Sequence, residues 1–420
     1  MLLEEILNRE NMLTAYGQVV RNKGCAGVDG LTVDELQPYL KTHWGQIKVE
    51  VLEGTYKPQP VKRVEIPKLN GGKRLLGIPT VTDRLLQQAI SQQLMKLYDK
   101  DFSKYSYGFR PEKNAHMAIK QAELYLNEGY DYVVEIDLEK FFDTVNHDRL
   151  MNHLSKKIGD KRVLRLIRSY LQAGIMIGNI IKQNEEGTPQ GSPMSPVLSN
   201  IVLDELDKEL ESRGHRFVRY ADDFCIFVKS KRAGERVLKG ISEFLEQKLK
   251  LKINQGKSGV FRPGEIKLLG YGFYYNKGTY RLRIHKSSYQ KIKQKVKEMT
   301  RKTHPERLED RITRLNTVIR GWVNYFKHAD CRIHLQNLDC WLRRRLRYCV
   351  WEKWKRTKTR IKELFKLGAS EENAQRWGKT RLGGWRICHS FISQTTLTNE
   401  YFEERGYIGF ANVYSQCRKD

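Results

Sequence analysis

Two adjacent carboxylates between apolar runs constrain this chain more than any other feature of its sequence. In RYADDFCIFV, Asp222 and Asp223 are flanked on both sides by aromatic and aliphatic residues. This pattern predicts a β-hairpin whose tight turn displays both acids. Two like charges side by side repel each other, and a divalent cation is the simplest group that compensates them. Asp is also a common turn residue, so the pair taken alone fits an ordinary surface turn as well.

A third acid follows a predicted buried strand. YVVEIDLEKFFDTV begins with strand-like residues 132–136 and places Asp137 at their end, before the chain turns toward a helix. Magnesium suits a site made of carboxylate oxygens. Three acids and two Mg²⁺ ions fit phosphoryl transfer from a nucleoside triphosphate, because the ions activate the attacking hydroxyl and stabilise the leaving pyrophosphate. In this interpretation Asp137 and Asp222 bridge the ions, and Asp223 supports them.

The formal net charge of +27 predicts a polyanionic partner. Like charges repel on compaction, so the excess favours nucleic acid, with an anionic membrane as the weaker alternative. Residues 281–366 contain 26 Lys and Arg against 8 Asp and Glu, with apolar residues at helical spacing. We therefore expect a helical bundle with basic outer faces. Its apolar stripe includes Ile312, Leu315, Ile319, Trp322 and Phe326, and its candidate nucleic-acid contacts are Arg343, Arg344, Arg345 and Arg347.

Upstream, residues 58–285 mix strand-like and helix-like segments, which indicates an α+β unit. VKRVEIPKLNGGKRLLGIP predicts two strands joined by a turn at Asn70, Gly71 and Gly72. Basic side chains gather near this turn, where they either contact phosphate or simply face solvent.

Several protein classes do not fit. The acidic N-terminal segment is unlike a signal peptide, and no apolar run approaches the roughly 20 residues that span a bilayer. We expect a cytoplasmic protein without a membrane partner. The seven cysteines are scattered without a C-x-x-C pair, which argues against disulfide scaffolding and against a metal site at Cys331, Cys340 and Cys349.

An ordered series of motifs resembles the reverse transcriptases, or maturases, encoded by group II introns. Besides the basic hairpin, the series includes GVDG (27–30), YGFRP (107–111), EIDLEKFFDTVNHDRL (135–150), GTPQGSPMSP (187–196), YADD (220–223), KLLGYGF (267–273) and RGWVNYF (320–326). The resemblance covers nearly the whole chain. It implies a right-hand polymerase with fingers, an antiparallel palm sheet, a helical thumb or maturase domain, and a small DNA-binding unit.

The domain boundaries expected from this resemblance are 1–57 for an N-terminal extension of the fingers, 58–285 for fingers and palm, 286–366 for the thumb, and 367–420 for the DNA-binding unit. No paired cysteines or H-N-H arrangement follow Lys366. The expectation is therefore an endonuclease-lacking type, similar to the class C intron proteins.

The resemblance also assigns site residues. Asp137, Asp222 and Asp223 would bind metal, with the Leu138 carbonyl as a further ligand. Phe142 would exclude a ribose 2′-OH by its bulk. The remaining deoxynucleotide contacts implied are Gln190 from below, and Arg63, Lys68 and Arg74 on the triphosphate.

Two further positions in these motifs are less typical of the family or less certain in role. Lys257 either protonates pyrophosphate or is a plain surface lysine. Ser192 stands where the family usually has a second glycine, which predicts an altered fit to the template. We expect Ser195 to be the N-cap of the helix that follows, with Pro196 as its first residue and Gly214 after its end.

The expected activity is RNA-directed DNA synthesis, together with binding of the parent intron RNA, aid to its splicing and retrohoming. The partners implied are group II intron RNA, an RNA template with a DNA primer, target DNA and deoxynucleoside triphosphates; no oligomeric state is assigned. Two alternatives stay open. One is a splicing maturase that has lost polymerisation, which the intact acids disfavour, and the other is a related polymerase recruited by the host for repair or phage defence.

Overall fold

The chain divides into two compact units. The computed structural model describes residues 1–67, 73–177, 180–182, 187 and 191–418. Its units are Met1–Ile266 and Lys267–Asp420. Within the described ranges, no helix combines the length and the hydropathy that a membrane crossing requires.

The first unit is built from helices and two sheets. Its helices are Leu2–Ile6 (α1), Arg9–Asn22 (α2), Leu36–Glu53 (α3), Val81–Tyr98 (α4), Ala115–Asn127 (α5), Phe141–Thr144 (α6), His147–Ser155 (α7), Lys161–Gln172 (α8), Ser195–Ser212 (α9) and Lys231–Glu243 (α10), with a 3₁₀ turn at Asp99–Asp101 and a π-helical turn at Phe244–Lys248. Its strands are Val61–Pro67 (β1), Lys73–Ile78 (β2), Tyr132–Ile136 (β3), Ile175–Ile177 (β4), Ile180–Lys182 (β5), Arg216–Tyr220 (β6), Asp223–Val228 (β7) and Gly259–Phe261 (β8).

The palm sheet, β6-β7-β3-β8, is antiparallel throughout. This confirms the predicted antiparallel sheet and the predicted strand before Asp137. Residues Phe224–Val228 of β7 are all buried because helices cover the sheet: α10 lies against β3, β7 and β8, and α5 and α9 lie against β6. One cluster of buried apolar side chains runs from the N-terminal helices through α4 and α9 to this sheet.

The fingers sheet has the order β2-β1-β4-β5. Strands β1 and β2 pair antiparallel from Lys62↔Ile78 to Pro67↔Lys73, which confirms the two strands of the predicted basic hairpin. Its turn lies outside the described residues. Strand β4 pairs parallel with β1, so this sheet is mixed, unlike the palm sheet.

Helix α9 begins one residue earlier than the sequence predicts. Met194 is the N-cap, Ser195 is the first helical residue, and Pro196 follows it. The helix ends before Gly214, which has a φ of +69° as expected of a residue after a helix end. Most of its residues are buried, so α9 is a central helix of the first unit.

The second unit is mainly helical. Its strands Tyr271–Asn276 (β9) and Thr279–Ile284 (β10) form a hairpin, and its helices are Lys286–Met299 (α11), Leu308–Phe326 (α12), Arg332–Lys353 (α13), Thr357–Lys366 (α14), Glu371–Gly378 (α15), Gly384–Ile387 (α16), Phe391–Thr396 (α17), Asn399–Glu403 (α18) and Phe410–Cys417 (α19). Of the predicted apolar stripe on α12, Trp322 is half-buried and the other members are buried.

The boundary between the units lies about twenty residues before the predicted one at 285. The β9–β10 hairpin belongs to the second unit because it bonds to the end of α12 and the residues after it. The Tyr271 hydroxyl donates to the Tyr325 carbonyl, and the Asp330 N–H donates to the Leu282 carbonyl at 2.8 Å. The hairpin therefore continues the helical core of the second unit.

The C-terminal residues are joined to the same core. Asp339 of α13 is buried and accepts hydrogen bonds from the Tyr407 hydroxyl and from the Phe410 and Ala411 N–H groups at 2.7–2.9 Å. A carboxylate at the start of α19 satisfies N–H groups that have no partner within the helix. The expected appended unit 367–420 thus shares a compact body with α11–α13.

Candidate active site

The predicted acidic hairpin is present. Tyr220 pairs with Asp223, so Ala221 and Asp222 form a two-residue turn between β6 and β7. Ala221 has a φ of +59°. A positive φ at the first central residue is typical of the turns that match the twist of a hairpin, and glycine is preferred there. The turn leaves Asp222 half-buried and Asp223 exposed.

The third acid lies beside this turn. Ile136 of β3 pairs with Phe224 of β7, and continuing that register by one residue places Asp137 opposite Asp223. Side chains directly opposite in an antiparallel pair share a face of the sheet. The structure therefore places Asp137 beside the turn that carries Asp222 and Asp223, at one end of the palm sheet.

The segment before β8 holds Asp137 in place. The N–H of Asp137 donates to the Ser258 hydroxyl at 3.0 Å, and its carbonyl accepts from the Asn254 N–H at 2.8 Å. Leu138 forms an isolated antiparallel bridge with Ile253, in which the hydrogen bonds are made by the residues on either side of Leu138. In such a pair the Leu138 carbonyl points away from Ile253. This orientation suits the predicted carbonyl ligand.

A lysine contacts the acidic site directly. The Nζ of Lys257 lies 3.3 Å from Oδ2 of Asp137, and the two side chains are 69% and 37% exposed. The sequence left open whether Lys257 is an active-site group or a surface lysine. The structure places its ammonium on one of the three acids, so it is both exposed and part of the site.

The donor set fits magnesium in a particular way. Across the described ranges, no group of three or more His, Cys, Asp or Glu side chains forms a metal cage. Mg²⁺ rarely needs one, since one or two carboxylates, substrate phosphates and water commonly complete its octahedron. Carboxylates on a turn and an adjacent strand end, open to solvent, provide that kind of incomplete oxygen site.

Phe142 follows Asp137 along the chain in a short helix. Lys140 has a φ of +48° and precedes α6, which begins at Phe141. Phe141 is buried, while Phe142 is half-buried and packs edge-on against it, with ring centroids 5.3 Å apart. The ring of Phe142 is thus held by the core and still partly exposed.

The motif GTPQGSP is anchored on both sides of its central residues. The Gly187 N–H donates to the Val145 carbonyl at 2.8 Å, and the Gly187 carbonyl contacts Nε2 of His147 at 2.6 Å. Gly191 has a φ of +116°, and a Cβ there would lie 2.6 Å from the Gly77 carbonyl of β2. Only glycine fits at this approach between the motif and the fingers sheet.

The nucleotide contacts expected on the fingers are only partly described. Arg63 of β1 pairs with Gly77, the residue that Gly191 approaches, so Arg63 lies near the GTPQGSP motif. Arg74 of β2 pairs with Ile66 of β1, but the structure does not describe its side chain. Lys68 and Gln190 also lie outside the described residues.

Ser192, the serine at the position where the family usually has a second glycine, is buried. Its side chain is 7% exposed and its hydroxyl donates to Oε1 of Gln87 in α4 at 2.7 Å. The hydroxyl is therefore enclosed between α4 and the start of α9, and an altered fit to the template stays a prediction.

Comparison with known proteins decides the family. A model described as reverse transcriptase (RNA-dependent DNA polymerase) matches residues 66–273, and one described as group II intron, maturase-specific domain matches 289–368. Protein YkfC of Escherichia coli (strain K12) is 33% identical over 299 residues, which are 62% of this chain and 78% of YkfC. The chain belongs to the group II intron reverse transcriptases. Its family makes it an RNA-directed DNA polymerase, a class that uses divalent metal ions.

Other relatives of this reverse transcriptase carry intron names. The group II intron-encoded protein LtrA of Lactococcus lactis subsp. cremoris is 29% identical over 365 residues, covering 71% of this chain and 59% of LtrA. The putative COX1/OXI3 intron 2 protein of Saccharomyces cerevisiae is 30% identical over 321 residues, covering 62% of this chain and 37% of that protein. The chain thus spans under two thirds of both of these relatives.

The four arginines of this group II intron reverse transcriptase that were expected to contact nucleic acid differ in how many hydrogen bonds they make within the protein. Arg345 donates to the Thr300 hydroxyl and carbonyl and to the Lys297 carbonyl, Arg347 donates to the Leu397 carbonyl and Asn399, and Arg344 donates to the Trp385 carbonyl. Burial lowers the pKa of both Arg345 and Arg347. These three join α13 to neighbouring segments. Among the residues that the structure describes, the hydrogen-bond partner of Arg343 is the Cys340 sulfur at 3.8 Å, so Arg343 is the most available of the four.

Several residues that shape the reverse transcriptase site were missed in the sequence. They are Ser258, which holds Asp137; His147, which holds Gly187; and Asn200, Asp207 and Arg219, which lie below the acidic turn. Arg219 carried a usable signal, since it lies directly after the apolar residues Phe217 and Val218 of a strand, and a buried charge needs a partner.

Proposed function

We propose that this reverse transcriptase copies an RNA template into DNA from a DNA primer and deoxynucleoside triphosphates, at a site that binds two Mg²⁺ ions. The observation that carries the proposal is the register of β3 and β7, which sets Asp137 beside the turn of Asp222 and Asp223. Three carboxylates on adjacent strand ends concentrate negative charge where a metal–triphosphate complex would neutralise it.

The acids have different parts in this proposal. Asp137 and Asp222 hold both ions, the Leu138 carbonyl adds an oxygen ligand, and Asp223 supports the site from its exposed position. When bound there, the two ions would lower the pKa of the primer hydroxyl and stabilise the pyrophosphate that leaves. The chain's own contribution is to orient these oxygens before substrate arrives, since both strands are paired up to the acids.

Positioning of the nucleotide is assigned to the residues around the acids. Arg63, Lys68 and Arg74 contact the triphosphate, because guanidinium and ammonium groups match its charge. Gln190 contacts the nucleotide from the GTPQGSP motif. Phe142 lies under the sugar, where its ring leaves no room for a 2′-OH.

The maturase-specific domain gives the enzyme its RNA partner in this proposal. Lys291, Lys295, Arg314 and Arg320 are exposed on α11 and α12, whose opposite faces form the apolar core. Such faces bind the phosphates of the template–primer duplex and of the folded intron RNA. The protein thereby assists splicing and carries the intron into target DNA by copying it.

Primer extension on an RNA template in magnesium tests the polymerase. Wild-type protein should extend the primer with deoxynucleotides, and Asp222→Ala should reduce the rate by about 10³-fold or more, since it removes a metal-binding group. Asp148→Ala is the matched control, because Asp148 is an exposed acid of α7 that is not one of the three. Absence of DNA from the wild type, or full activity of Asp222→Ala, would contradict the proposal.

Intron mobility needs a separate test. The DNA flanking the gene should encode an RNA that folds as a group II intron and binds this protein more tightly than an unrelated RNA of equal length at the same salt concentration. If no such RNA exists, a host-recruited polymerase becomes the better description.

A further inference from the structure

A buried ion pair lies directly below the turn that carries Asp222. Arg219 of β6 and Asp207 of α9 are both 0% exposed. The guanidinium Nε donates to Oδ1 of Asp207 at 2.7 Å and Nη2 donates to Oδ2 at 2.5 Å, which is a bidentate arrangement. Burying such a pair has a large desolvation cost, so stability alone is a weak reason for its presence.

The third nitrogen of Arg219 reaches the turn itself. Nη1 donates to the Ala221 carbonyl at 3.0 Å and to Oδ1 of Asn200 at 2.9 Å. Ala221 precedes Asp222 directly and has a φ of +59°, which non-glycine residues rarely adopt. The guanidinium therefore holds the carbonyl of the one residue in this turn whose backbone is in the left-handed region.

The other side of the turn is closed by the YGFRP motif. The amide of Asn200 donates to the Gly108 carbonyl at 2.8 Å, and the Tyr107 N–H donates to the Arg219 carbonyl at 2.9 Å. A Cβ on Gly108 would lie 2.4 Å from the nitrogen of Ala221. The turn is thus enclosed between a glycine backbone and a guanidinium that Asp207 and Asn200 orient.

We propose that Arg219 is a positioning residue that fixes the turn of Ala221 and Asp222 and thereby sets the magnesium concentration at which DNA synthesis is half-maximal. The inference rests on the proposed polymerase function. Arg219 is buried and acts through the Ala221 carbonyl, so it touches neither substrate nor metal. Loss of this hydrogen bond lets the strained turn relax and moves Asp222 relative to Asp137. Small displacements of metal-binding groups have large effects on rate and metal affinity.

The test substitutes Arg219→Lys. A lysine keeps the positive charge beside Asp207, but one ammonium on a flexible stem cannot replace the planar fork that serves Asp207, Asn200 and Ala221 together. The measurement is single-nucleotide incorporation titrated with Mg²⁺ at saturating deoxynucleotide and primer–template. We expect the half-maximal Mg²⁺ concentration to rise about tenfold, with primer–template affinity changed by less than about twofold.

Arg311→Lys is the control for loss of a buried arginine. Arg311 of α12 is 1% exposed, its guanidinium lies 3.6 Å from the Glu306 carboxylate, and it donates to the Arg301 and His304 carbonyls at 3.3 and 3.1 Å. It makes no hydrogen bond to the turn. We expect a lower unfolding temperature for this variant, with the magnesium requirement within about twofold of wild type.

Asn200→Ala is a second variant that leaves the ion pair intact. It removes the link from Arg219 to Gly108, so we expect a smaller rise in the magnesium requirement of the folded protein. If folded Arg219→Lys has the same half-maximal Mg²⁺ concentration as wild type, the inference is overturned. If Arg219→Lys does not fold, a wild-type value in Asn200→Ala overturns it. An equal rise in Arg311→Lys also overturns it. A wild type that makes no DNA would instead contradict the proposed function.

Discussion

The ammonium of Lys257 lies 3.3 Å from the carboxylate of Asp137. The lysine therefore places a positive charge next to an acid that, in the proposed function, binds magnesium. The ammonium and the cation therefore compete for the same oxygen, and an exposed lysine can move away when metal and nucleotide bind. The competition should be visible as a change in metal affinity.

Lys257→Met should tighten metal binding in the absence of nucleotide by about threefold to tenfold, because it removes a nearby positive charge in a solvent-exposed site. Mn²⁺ binding followed by electron paramagnetic resonance measures this directly. Lys252→Met is the control, since Lys252 is an exposed lysine in the same segment. Unchanged or weaker Mn²⁺ binding would show that the lysine does not oppose metal binding. A simultaneous fall in the rate of synthesis would support its interpretation as the proton donor to pyrophosphate.

Phe142→Ala should let the enzyme use ribonucleotides. The ring is half-buried and fixed against Phe141, so its truncation opens space at the surface without removing a fully buried residue. We expect the ratio of kcat/KM for deoxynucleotide over ribonucleotide to fall by about tenfold or more. Single-nucleotide incorporation with each triphosphate gives the ratio. Leu124→Ala, at an exposed position of α5, should leave it unchanged. Equal discrimination by Phe142→Ala would exclude this ring as the sugar filter.

Gly191→Ala should disrupt the GTPQGSP motif in two ways, through a steric clash of the new Cβ and through backbone strain. Its Cβ would lie 2.6 Å from the Gly77 carbonyl, and its φ is +116°. Gly214→Ala provides the strain without the contact, because Gly214 has a φ of +69° and open space around its Cβ. We expect Gly214→Ala to lower stability by about 1 kcal/mol. Gly191→Ala should in addition raise the KM for deoxynucleotide by about tenfold. If the two variants have the same KM for deoxynucleotide, the close contact between Gly191 and the Gly77 carbonyl has no role in nucleotide binding.

Arg345→Ala should destabilise the second unit. Its guanidinium donates to the Thr300 hydroxyl at 2.5 Å and to the Thr300 and Lys297 carbonyls at 2.9 and 3.1 Å, at the C-terminal end of α11, where a cation is favoured. We expect the free energy of unfolding to fall by about 2 kcal/mol, measured with urea.

Arg343→Ala is the comparison for this prediction. Because the guanidinium of Arg343 bonds no carbonyl in the described part of the chain, its replacement should change stability by less than about 0.5 kcal/mol while weakening RNA binding in a salt-dependent way. If Arg345→Ala is as stable as wild type but binds RNA less tightly, Arg345 contacts nucleic acid, as the sequence analysis expected of both residues.

The sequence by itself determined the local elements that carry the chemistry. Alternating and continuous apolar residues set β3 and β7, turn residues set the position of Asp222, and helical spacing set the buried stripe of α12. These features depend on neighbours within a few residues, so local sequence patterns were enough to predict them. Asp137 and Asp222 were located in this way, whereas Phe142 was singled out only by the resemblance to the family.

Only the tertiary structure decided which partner each buried polar group has. Asn200 bonds a carbonyl 92 residues away, Ser192 bonds a side chain 105 residues away, and Arg345 bonds the end of a helix 45 residues away. Such partners follow from how distant elements pack. The physical reason is that desolvation forces every buried charge or hydroxyl to find a partner, while local sequence says only that it needs one. This is why the acids were predicted and the guanidinium that holds their turn was not.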